Sequence, residues 1–329
     1  MNDIIINNKM DFLNLIKENP EDQNKIDDEK NIAYHHYTIQ KKTGVRHLYS
    51  IKKSTLLYKY QKNLYNNFLS KLLFPECVYG FRKERSYFDF LVPHISSRKQ
   101  HCFLRLDISN FFESIQLSDV KECFKYYLDK DLGEDEKEDI CEYFLKIVSY
   151  KGKIVQGAIT SPAISNLVFR RLDIRIIKYC KKFGITYSRY ADDLLFSCHH
   201  SYVFDRRFIT CIRMILNDKG FSLNNRKTLR YTNEVSLNGY VIGEDIRLSR
   251  KKLSKLNKLI FELSSTAFTG FENESEKLSK INELAGYRAF LINALKYYTD
   301  TATTQKINKK ILLIENTIDK ARNMSVQHV

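Results

Sequence analysis

The stretch SRYADDLLFS, residues 188–197, places two adjacent carboxylates, Asp192 and Asp193, between two short runs of β-prone apolar residues. Adjacent acids repel each other, and acids within an apolar sequence must be hydrogen-bonded, solvated or bound to a cation. Two interpretations are therefore open at this point. The stretch is either a polar turn between two strands or a hairpin that holds a metal ion in an active site.

A third acid bears on this choice. Asp107 lies near the end of HCFLRLDIS, residues 101–109, whose composition predicts a β-strand. Phosphoryl transfer with two divalent metal ions needs carboxylates that converge from separate strands, because the two ions bridge the attacking and leaving oxygens. Acids at strand ends and in turns are common, so neither Asp107 nor the Asp192–Asp193 pair is specific alone. The sequence between Asp107 and Asp192 is therefore needed to choose between the polar turn and the metal-binding hairpin.

The charge of the chain narrows its possible partners. Among 329 residues, 54 Lys and Arg against 39 Asp and Glu give a formal net charge of +15, which points to a polyanionic partner, nucleic acid first. No apolar run approaches the roughly 18 residues that span a membrane, and the first residues do not resemble a signal peptide. The 7 cysteines are scattered without a CxxC pair, which predicts reduced thiols in a cytoplasm.

Hydrophobic periodicity predicts strands that alternate with helices, followed by a mostly helical tail. This order indicates an α/β or α+β body with a helical appendage. Ser161 and Pro162 fit the N-cap and the first position of a helix that reaches about Cys180. The other patterned segments are a short helix within 1–30, two strands at 34–52, helices at 54–73, 117–128 and 203–219, a strand pair at 235–243, and helices from Ser249 onward with a linker-like stretch near 264–275.

Three ordered motifs carry a family resemblance. RLDISNFFESI, VQGAITSPAISNLVFRRLD and YSRYADDLLFS resemble the successive palm motifs of reverse transcriptases, and the QG…TSP…SNL…D pattern of the second is similar to bacterial retron-type enzymes. The resemblance covers about residues 34–245. It implies an α+β right-hand polymerase with an N-terminal helical extension at 1–30, fingers at 31–100, a palm at 101–245 that contains an antiparallel sheet and the YADD hairpin, and a helical thumb at 246–329.

The resemblance also assigns the catalytic centre. It implies that Asp107, Asp192 and Asp193, together with Ile108, hold two Mg²⁺ ions, for which carboxylates and substrate phosphates are suitable ligands. Asp107 and Asp192 would be the bridging ligands and Asp193 the more peripheral acid. Lys227, in GFSLNNRKT, matches a family lysine near the leaving pyrophosphate and would act as a proton donor.

The nucleotide site follows in the same way. Phe112 matches the family's sugar gate, a ring that clashes with a 2′-hydroxyl, although from the residues alone it reads as a core side chain. The backbone N–H groups of Asn110 and Phe111 would meet the triphosphate. The remaining residues implied to contact the dNTP are Gln156, Gly157, Lys41, Lys42 and Arg46, the last three as a clamp on the phosphates.

Contacts with nucleic acid are implied in three further segments. VYGFRKERS resembles a template-contacting motif, SLNGY resembles the hairpin that grips the primer, and a basic helix follows it. A solvated helix face remains the alternative for the last of these. The implied residues are Arg82, Lys83, Arg85, Asn238, Gly239, Arg250, Lys251, Lys255 and Lys258.

The resemblance implies RNA-templated DNA synthesis by a bacterial cytoplasmic enzyme. A retron-type enzyme would copy a structured noncoding RNA into single-stranded DNA and act in antiphage defence with an effector protein. The chain departs from retron enzymes in keeping only His94 of an Asn-Ala-x-x-His element and in having Leu237-Asn238-Gly239 for Val-Thr-Gly. Another defence-associated reverse transcriptase with protein-primed or non-templated synthesis therefore stays open. Two competitors come from other classes: a non-catalytic RNA-binding scaffold, against which the three intact acids argue, and a two-metal nuclease, which would not need Phe112. The residues carry no information on oligomeric state.

Overall fold

The computed structural model describes residues 4–18, 22, 25–40, 45–97, 100–264, 274–298 and 301–323. The chain divides into two units. Unit 1 contains Met1–Pro93 and Cys102–Tyr231, and unit 2 contains His94–His101 and Thr232–Val329. The finer division into N-terminal extension, fingers, palm and thumb stays a prediction.

The central sheet of unit 1 carries the acidic motifs. Its strands are β3 (Cys102–Ser109), β4 (Thr186–Tyr190), β5 (Asp193–Cys198), β6 (Ser222–Leu223) and β7 (Leu229–Thr232). Their order is β4–β5–β3–β6 with antiparallel neighbours, and β7 also pairs with β3. All residues of β5 and most residues of β3 are buried, which explains their nearly continuous apolar sequences. The antiparallel sheet and its helices confirm the α+β fold.

Seven of the eight helices described for unit 1, all except the one at Tyr87–Leu91, share one hydrophobic core with this sheet. Phe12 and Ile16 of the predicted N-terminal stripe are fully buried, and the ring of Phe12 lies 5.9 Å from that of Phe124, which stacks on Phe144 at 3.8 Å. The helices are α1 (Lys9–Ile16), α2 (Lys25–Ala33), α3 (Leu56–Asn67), α4 (Tyr87–Leu91), α5 (Leu117–Lys125), α6 (Glu134–Val148), α7 (Ser161–Lys182) and α8 (Arg206–Asn217).

The start of α7 differs from its prediction. Thr160 is the N-cap and Ser161 is the first helical residue, so the prediction of Ser161 as N-cap is wrong by one position. The side chain of Thr160 makes no capping hydrogen bond, and the buried hydroxyl of Ser161 has no hydrogen-bond partner. Pro162 stands in the first turn, where a missing N–H costs nothing and the fixed φ favours the helix. The proline, not a hydroxyl cap, therefore determines this start.

The predicted hairpin at 34–52 is formed by β1 (Tyr34–Gln40) and β2 (Val45–Ile51), which pair antiparallel. Most of its residues are exposed, and its base is anchored where the ring of Tyr34 stacks on that of Tyr150 at 4.3 Å. Lys41 and Lys42 lie outside the described residues.

Unit 2 combines a small sheet with a helical bundle. Its strands β8 (Val235–Leu237), β9 (Tyr240–Ile242) and β10 (Ile246–Leu248) pair antiparallel in the order β10–β9–β8. The helices α9 (Arg250–Ser264), α10 (Glu274–Leu295) and α11 (Thr301–Asn323) share a second apolar core. Among the residues that the structure describes, none of the helices combines the length and apolarity needed to cross a membrane.

A short segment, His94–His101, belongs to unit 2 although unit 1 flanks it on both sides in the sequence. The N–H of Ser96 donates to the carbonyl of Gly243 at 3.0 Å, and the N–H of Asn233 donates to the carbonyl of His101 at 2.6 Å. His94 itself is fully buried. Burial, assisted by the charge of His101, lowers the pKa of His94 from 6.5 to about 3, so that the folded chain holds a neutral imidazole there.

We expect this histidine to make unfolding pH-dependent. Between pH 6.5 and about 3 the unfolded chain protonates His94 whereas the folded chain does not, so the free energy of unfolding falls as the pH is lowered through this range. The contribution is about 1.4 kcal/mol per pH unit. Urea unfolding followed by circular dichroism from pH 7 to pH 5 measures it. His94→Gln should flatten the slope by about that amount, and His35→Gln, an exposed control, should not. Equal slopes in all three proteins would contradict this assignment.

Candidate active site at the YADD hairpin

The paired acids lie at a tight turn between β4 and β5. Tyr190 and Asp193 are the last paired residues, so Ala191 and Asp192 alone form the turn. Ala191 has a φ of 56°, a left-handed conformation that glycine adopts easily and alanine adopts at a cost. The turn presents the side chain of Asp192 at the end of the sheet, whereas Asp193 is already part of β5.

Strand β3 brings Asp107 beside this turn. Asp107 stands directly opposite Asp193 in the antiparallel register, and the N–H of Ile108 donates to the carbonyl of Asp192 at 3.0 Å. The two predicted bridging acids are thus tied together through the backbone. Ile108 has an apolar, buried side chain, so only its carbonyl oxygen could serve as the predicted metal ligand.

Lys227 joins the same cluster from a third segment. The N–H of Asn224 donates to the carbonyl of Asp107 at 2.7 Å, and the ammonium of Lys227 donates to Asp107 Oδ2 at 3.0 Å. Asp107 is 4% exposed and Lys227 is 56% exposed. The lysine therefore reaches the buried acid from the solvent side, and its role at the leaving pyrophosphate stays a prediction.

The charges of the site act on one another. Burial raises the pKa of Asp192 and the carboxylate of Asp107 raises it further, whereas a backbone hydrogen bond and the cations Lys227 and Arg46 lower it. Arg46 lies on β2, and its charge acts on Asp192 in the same direction as the charge of Lys227. Among the three predicted clamp residues, it is the one that the described residues include.

Asp193 has a different partner. Arg105 Nε and Nη2 donate to Asp193 Oδ1 at 2.8 and 2.5 Å. Burial raises the pKa of Asp193, and Arg105 opposes this shift. Arg105 lies two residues before Asp107 on β3, so the two side chains share a face of the sheet. The role of Asp193 as the more peripheral metal ligand stays a prediction.

The described residues contain no group of three or more His, Cys, Asp and Glu side chains arranged as a metal site. One observation nevertheless fits a cation at the two bridging acids. Asp107 Oδ1 is buried and has no hydrogen-bond partner, although a buried carboxylate oxygen is costly to leave unpaired. Hard cations such as Mg²⁺ take carboxylate oxygens as ligands. Asp107 and Asp192 would hold the ion, and the orphaned oxygen is the atom that gains most from it.

The residues after β3 divide between core and site. Phe111 is buried against Phe169 and Phe221, so its ring belongs to the core. The ring of Phe112 is half-buried and lies 6.1 Å from that of Phe81. Phe81 is 37% exposed with a φ of 60°, which is strained for a bulky residue. The sequence reasoning did not single out Phe81.

Gln156 and Gly157, which the resemblance assigns to the dNTP site, contact strand β2. The N–H of Tyr49 on β2 donates to the carbonyl of Gln156 at 2.8 Å. Gly157 has a φ of 108°, and a Cβ there would lie 2.2 Å from the carbonyl oxygen of Tyr49. Only glycine fits this approach, which fixes β2 and Arg46 relative to the palm motif.

Two of the predicted template contacts have intramolecular partners. Arg82 donates to the carbonyls of Pro75 and Val78 at 3.3 and 3.1 Å, and the Arg85 guanidinium lies 5.5 Å from the centre of the Tyr79 ring. The structure thus gives Arg82 a role in holding its own loop. The template contacts of Arg82, Lys83 and Arg85 stay predictions.

Asp173 and Arg189 form a buried pair that the sequence reasoning missed. Both side chains are 0% exposed. Arg189 Nε and Nη2 donate to the Asp173 carboxylate at 2.9 and 2.7 Å, and Nη1 donates to the carbonyl of Ala191 at 3.2 Å. A signal was present in the sequence, because Asp173 follows Asn166 by seven positions on the buried face of α7.

In unit 2, the predicted hairpin is present. Asn238 and Gly239 form its two-residue turn with φ values of 47° and 84°, as an Asn-Gly turn between strands predicts. Tyr240 stacks on Phe290 at 4.5 Å, and the ammonium of Lys252 lies 3.9 Å from the Tyr240 ring centre. This aromatic contact joins the hairpin to α9 and α10.

Two of the basic residues of α9 form ion pairs within the chain. Lys255 pairs with Glu283 at 2.6 Å and Lys258 pairs with Glu262 at 3.6 Å. These ion pairs reduce the positive charge that the two lysines offer to phosphates. The predicted nucleic-acid contacts of Asn238, Gly239, Arg250, Lys251, Lys255 and Lys258 stay predictions.

Comparison with known proteins places these motifs in a family. The reverse transcriptase (RNA-dependent DNA polymerase) family matches residues 39–272. The chain is 29% identical over 266 residues to the retron Ec86 reverse transcriptase of Escherichia coli, covering 79% of this chain and 76% of that protein. It is 25% identical over 291 residues to the retron Ec73 reverse transcriptase of the same species, covering 85% of this chain and 89% of that protein.

A solved structure agrees on the fold. The apo telomerase of Candida tropicalis matches with a TM-score of 0.51 at 12% identity, over 89% of this chain and 57% of the telomerase chain. The chain therefore belongs to the reverse transcriptase family, and its resemblance to the retron-type members is confirmed.

Proposed function

We propose that the chain is an RNA-directed DNA polymerase that joins dNTPs to a primer by metal-assisted phosphoryl transfer. The observation that carries this proposal is the meeting of Asp107 and Asp192 at the YADD turn, with Asp107 Oδ1 buried and unpaired. The backbone hydrogen bond between Ile108 and Asp192 holds the two acids in one place. Family membership and the net charge of +15 support nucleic acid as the partner.

In the proposed reaction, the 3′-hydroxyl of the primer attacks the α-phosphorus of the dNTP. A new O–P bond forms, the bond between the α- and β-phosphates breaks, and pyrophosphate leaves. Two Mg²⁺ ions, when bound, supply charge neutralisation and activation of the hydroxyl. Asp107 and Asp192 would hold the ions, and Arg46 would bind phosphate oxygens. Lys227, freed from Asp107, donates a proton to the leaving pyrophosphate.

The biological setting is part of the proposal. The retron relatives support a structured noncoding RNA as the partner, part of which is copied into single-stranded DNA. We further propose a role in antiphage defence with an effector protein, and a location in the bacterial cytoplasm. These steps go beyond the chemistry of the site and rest on the resemblance.

The proposed function predicts the effect of a substitution at Asp192. Asp192→Asn removes one metal-binding charge, worth several kcal/mol in the transition state, and should lower dNTP incorporation on a primed RNA template by about a thousandfold. RNA binding, measured by fluorescence anisotropy, should stay unchanged. Asp139→Asn, which changes an exposed acid on α6, is the matched control and should leave incorporation unchanged.

The other outcomes identify the competing functions. A wild-type protein that binds RNA tightly and incorporates no dNTP would favour a non-catalytic scaffold. Cleavage of the template or primer that is lost in Asp192→Asn would favour a nuclease. Incorporation that persists in Asp192→Asn would contradict the assigned site.

A further prediction concerns the ring of Phe112, which is half-buried beside Phe81. Phe112→Ala should admit ribonucleotides because the steric clash with the 2′-hydroxyl is removed. We expect the ratio of kcat/KM for dNTP over rNTP to fall by roughly ten- to a hundredfold, mainly through a gain with rNTP. The dNTP reaction of the same variant is the internal control. An unchanged ratio would remove Phe112 as the gate.

A further inference from the structure

All three nitrogens of the Arg189 guanidinium donate hydrogen bonds. Two of its nitrogens bind the carboxylate of Asp173, and the third donates to the carbonyl of Ala191 at 3.2 Å. Its central carbon lies 4.4 Å from the centre of the Phe169 ring. Asp173 also accepts from the hydroxyl of Tyr187 at 2.8 Å. The guanidinium is thus locked in one orientation by α7 and β4.

A pair of this kind is not explained by stability alone. Taking both charges out of water costs several kcal/mol, and buried pairs are often replaced by apolar residues without loss of stability. Burial opposes the charge of Arg189, but Asp173 more than compensates and the pKa of Arg189 is raised. The pair therefore keeps a permanent, oriented donor beneath the catalytic turn.

That donor acts on the strained residue of the turn. Ala191 has a φ of 56°, and its carbonyl belongs to the peptide that joins it to Asp192. The orientation of this peptide determines where the Asp192 side chain points. From the other side, the backbone of Gly80 closes on the turn, since a Cβ there would lie 2.5 Å from the Ala191 nitrogen. Asn166 on α7 holds the carbonyl of Gly80 at 2.9 Å.

We propose that Asp173 and Arg189 are positioning residues that set the Asp192 carboxylate for cation binding, by holding the Ala191–Asp192 peptide in its left-handed turn. This inference rests on the cation-binding role of Asp192 in the proposed function. Helix α7 thereby supports the turn twice, through Asp173 beneath it and through Asn166 beside it.

The test separates positioning from stability. The double variant Asp173→Leu with Arg189→Met replaces the ion pair by apolar side chains of similar size and should fold, but it lacks the donor to Ala191. We measure affinity for Mn²⁺ alone by electron paramagnetic resonance of the free ion, and thermal stability by circular dichroism. Affinity should fall at least tenfold relative to wild type, by about the factor that one lost charge-assisted hydrogen bond represents.

A third substitution makes the test specific. Ala191→Gly removes the cost of the left-handed conformation, so adding it to the double variant should restore most of the Mn²⁺ affinity without restoring any lost thermal stability. If the double variant does not fold, Arg189→Lys replaces it, because a lysine keeps the charge beside Asp173 but cannot also reach the Ala191 carbonyl. The same loss and the same rescue by Ala191→Gly are expected.

The contrary outcomes are distinct. A folded variant with wild-type Mn²⁺ affinity, or a loss that Ala191→Gly does not relieve, would overturn the positioning role while leaving the proposed function intact. Wild-type protein that binds Mn²⁺ no more tightly than Asp192→Asn would overturn the cation-binding role of Asp192, and with it both proposals.

Discussion

The buried ion pair between Asp173 and Arg189 is the interaction on which the arrangement of the site depends. It joins α7 to β4 at a depth where neither charge meets solvent, and its remaining nitrogen supports the carbonyl of Ala191. Without this support, a two-residue turn with a left-handed alanine would relax toward other conformations. The pair thus connects the packing of the longest helix of unit 1 to the placement of a single carboxylate.

A second constraint is the balance of charge around three acids in a mostly buried sheet. Asp107 pairs with Lys227 and Asp193 pairs with Arg105, whereas the charges of Lys227 and Arg46 lower the pKa of Asp192. The proposed cation at Asp107 and Asp192 agrees with this distribution, because Asp107 Oδ1 is buried without a hydrogen-bond partner, whereas Asp193 already binds the Arg105 guanidinium. On this basis we propose different roles for Asp192 and Asp193, although the two acids are adjacent in the sequence.

The local sequence pattern was sufficient to predict several strands and hairpins. The acids between β-prone runs, the Asn238–Gly239 turn and the apolar strand ending in Asp107 each carry short-range signals, and the structure contains the hairpins and strand that they predict. The order of the motifs then identified the family. Local pattern failed at Ser161, where Pro162 decides the start of the helix one residue earlier.

Contacts between residues far apart in the chain could not be predicted from the sequence. The Arg105–Asp193 pair is formed across two strands 88 positions apart, and the attachment of His94–His101 to unit 2 depends on hydrogen bonds with Asn233 and Gly243. No periodicity encodes such pairings. Asp173 was predictable in part. The sequence shows its place on the buried face of α7 but does not show its partner.

Metal-directed backbone cleavage shows whether Asp107 and Asp192 form the cation site. Fe²⁺ replaces Mg²⁺, ascorbate and peroxide generate hydroxyl radicals at the bound ion, and mass spectrometry maps the cuts. If these two acids bind the ion, cuts appear at both the end of β3 and the Ala191–Asp192 turn, and they are suppressed by excess Mg²⁺ and absent in Asp192→Asn. Cuts confined to other segments, or cuts that Asp192→Asn leaves unchanged, would contradict the assignment of the cation site to these acids.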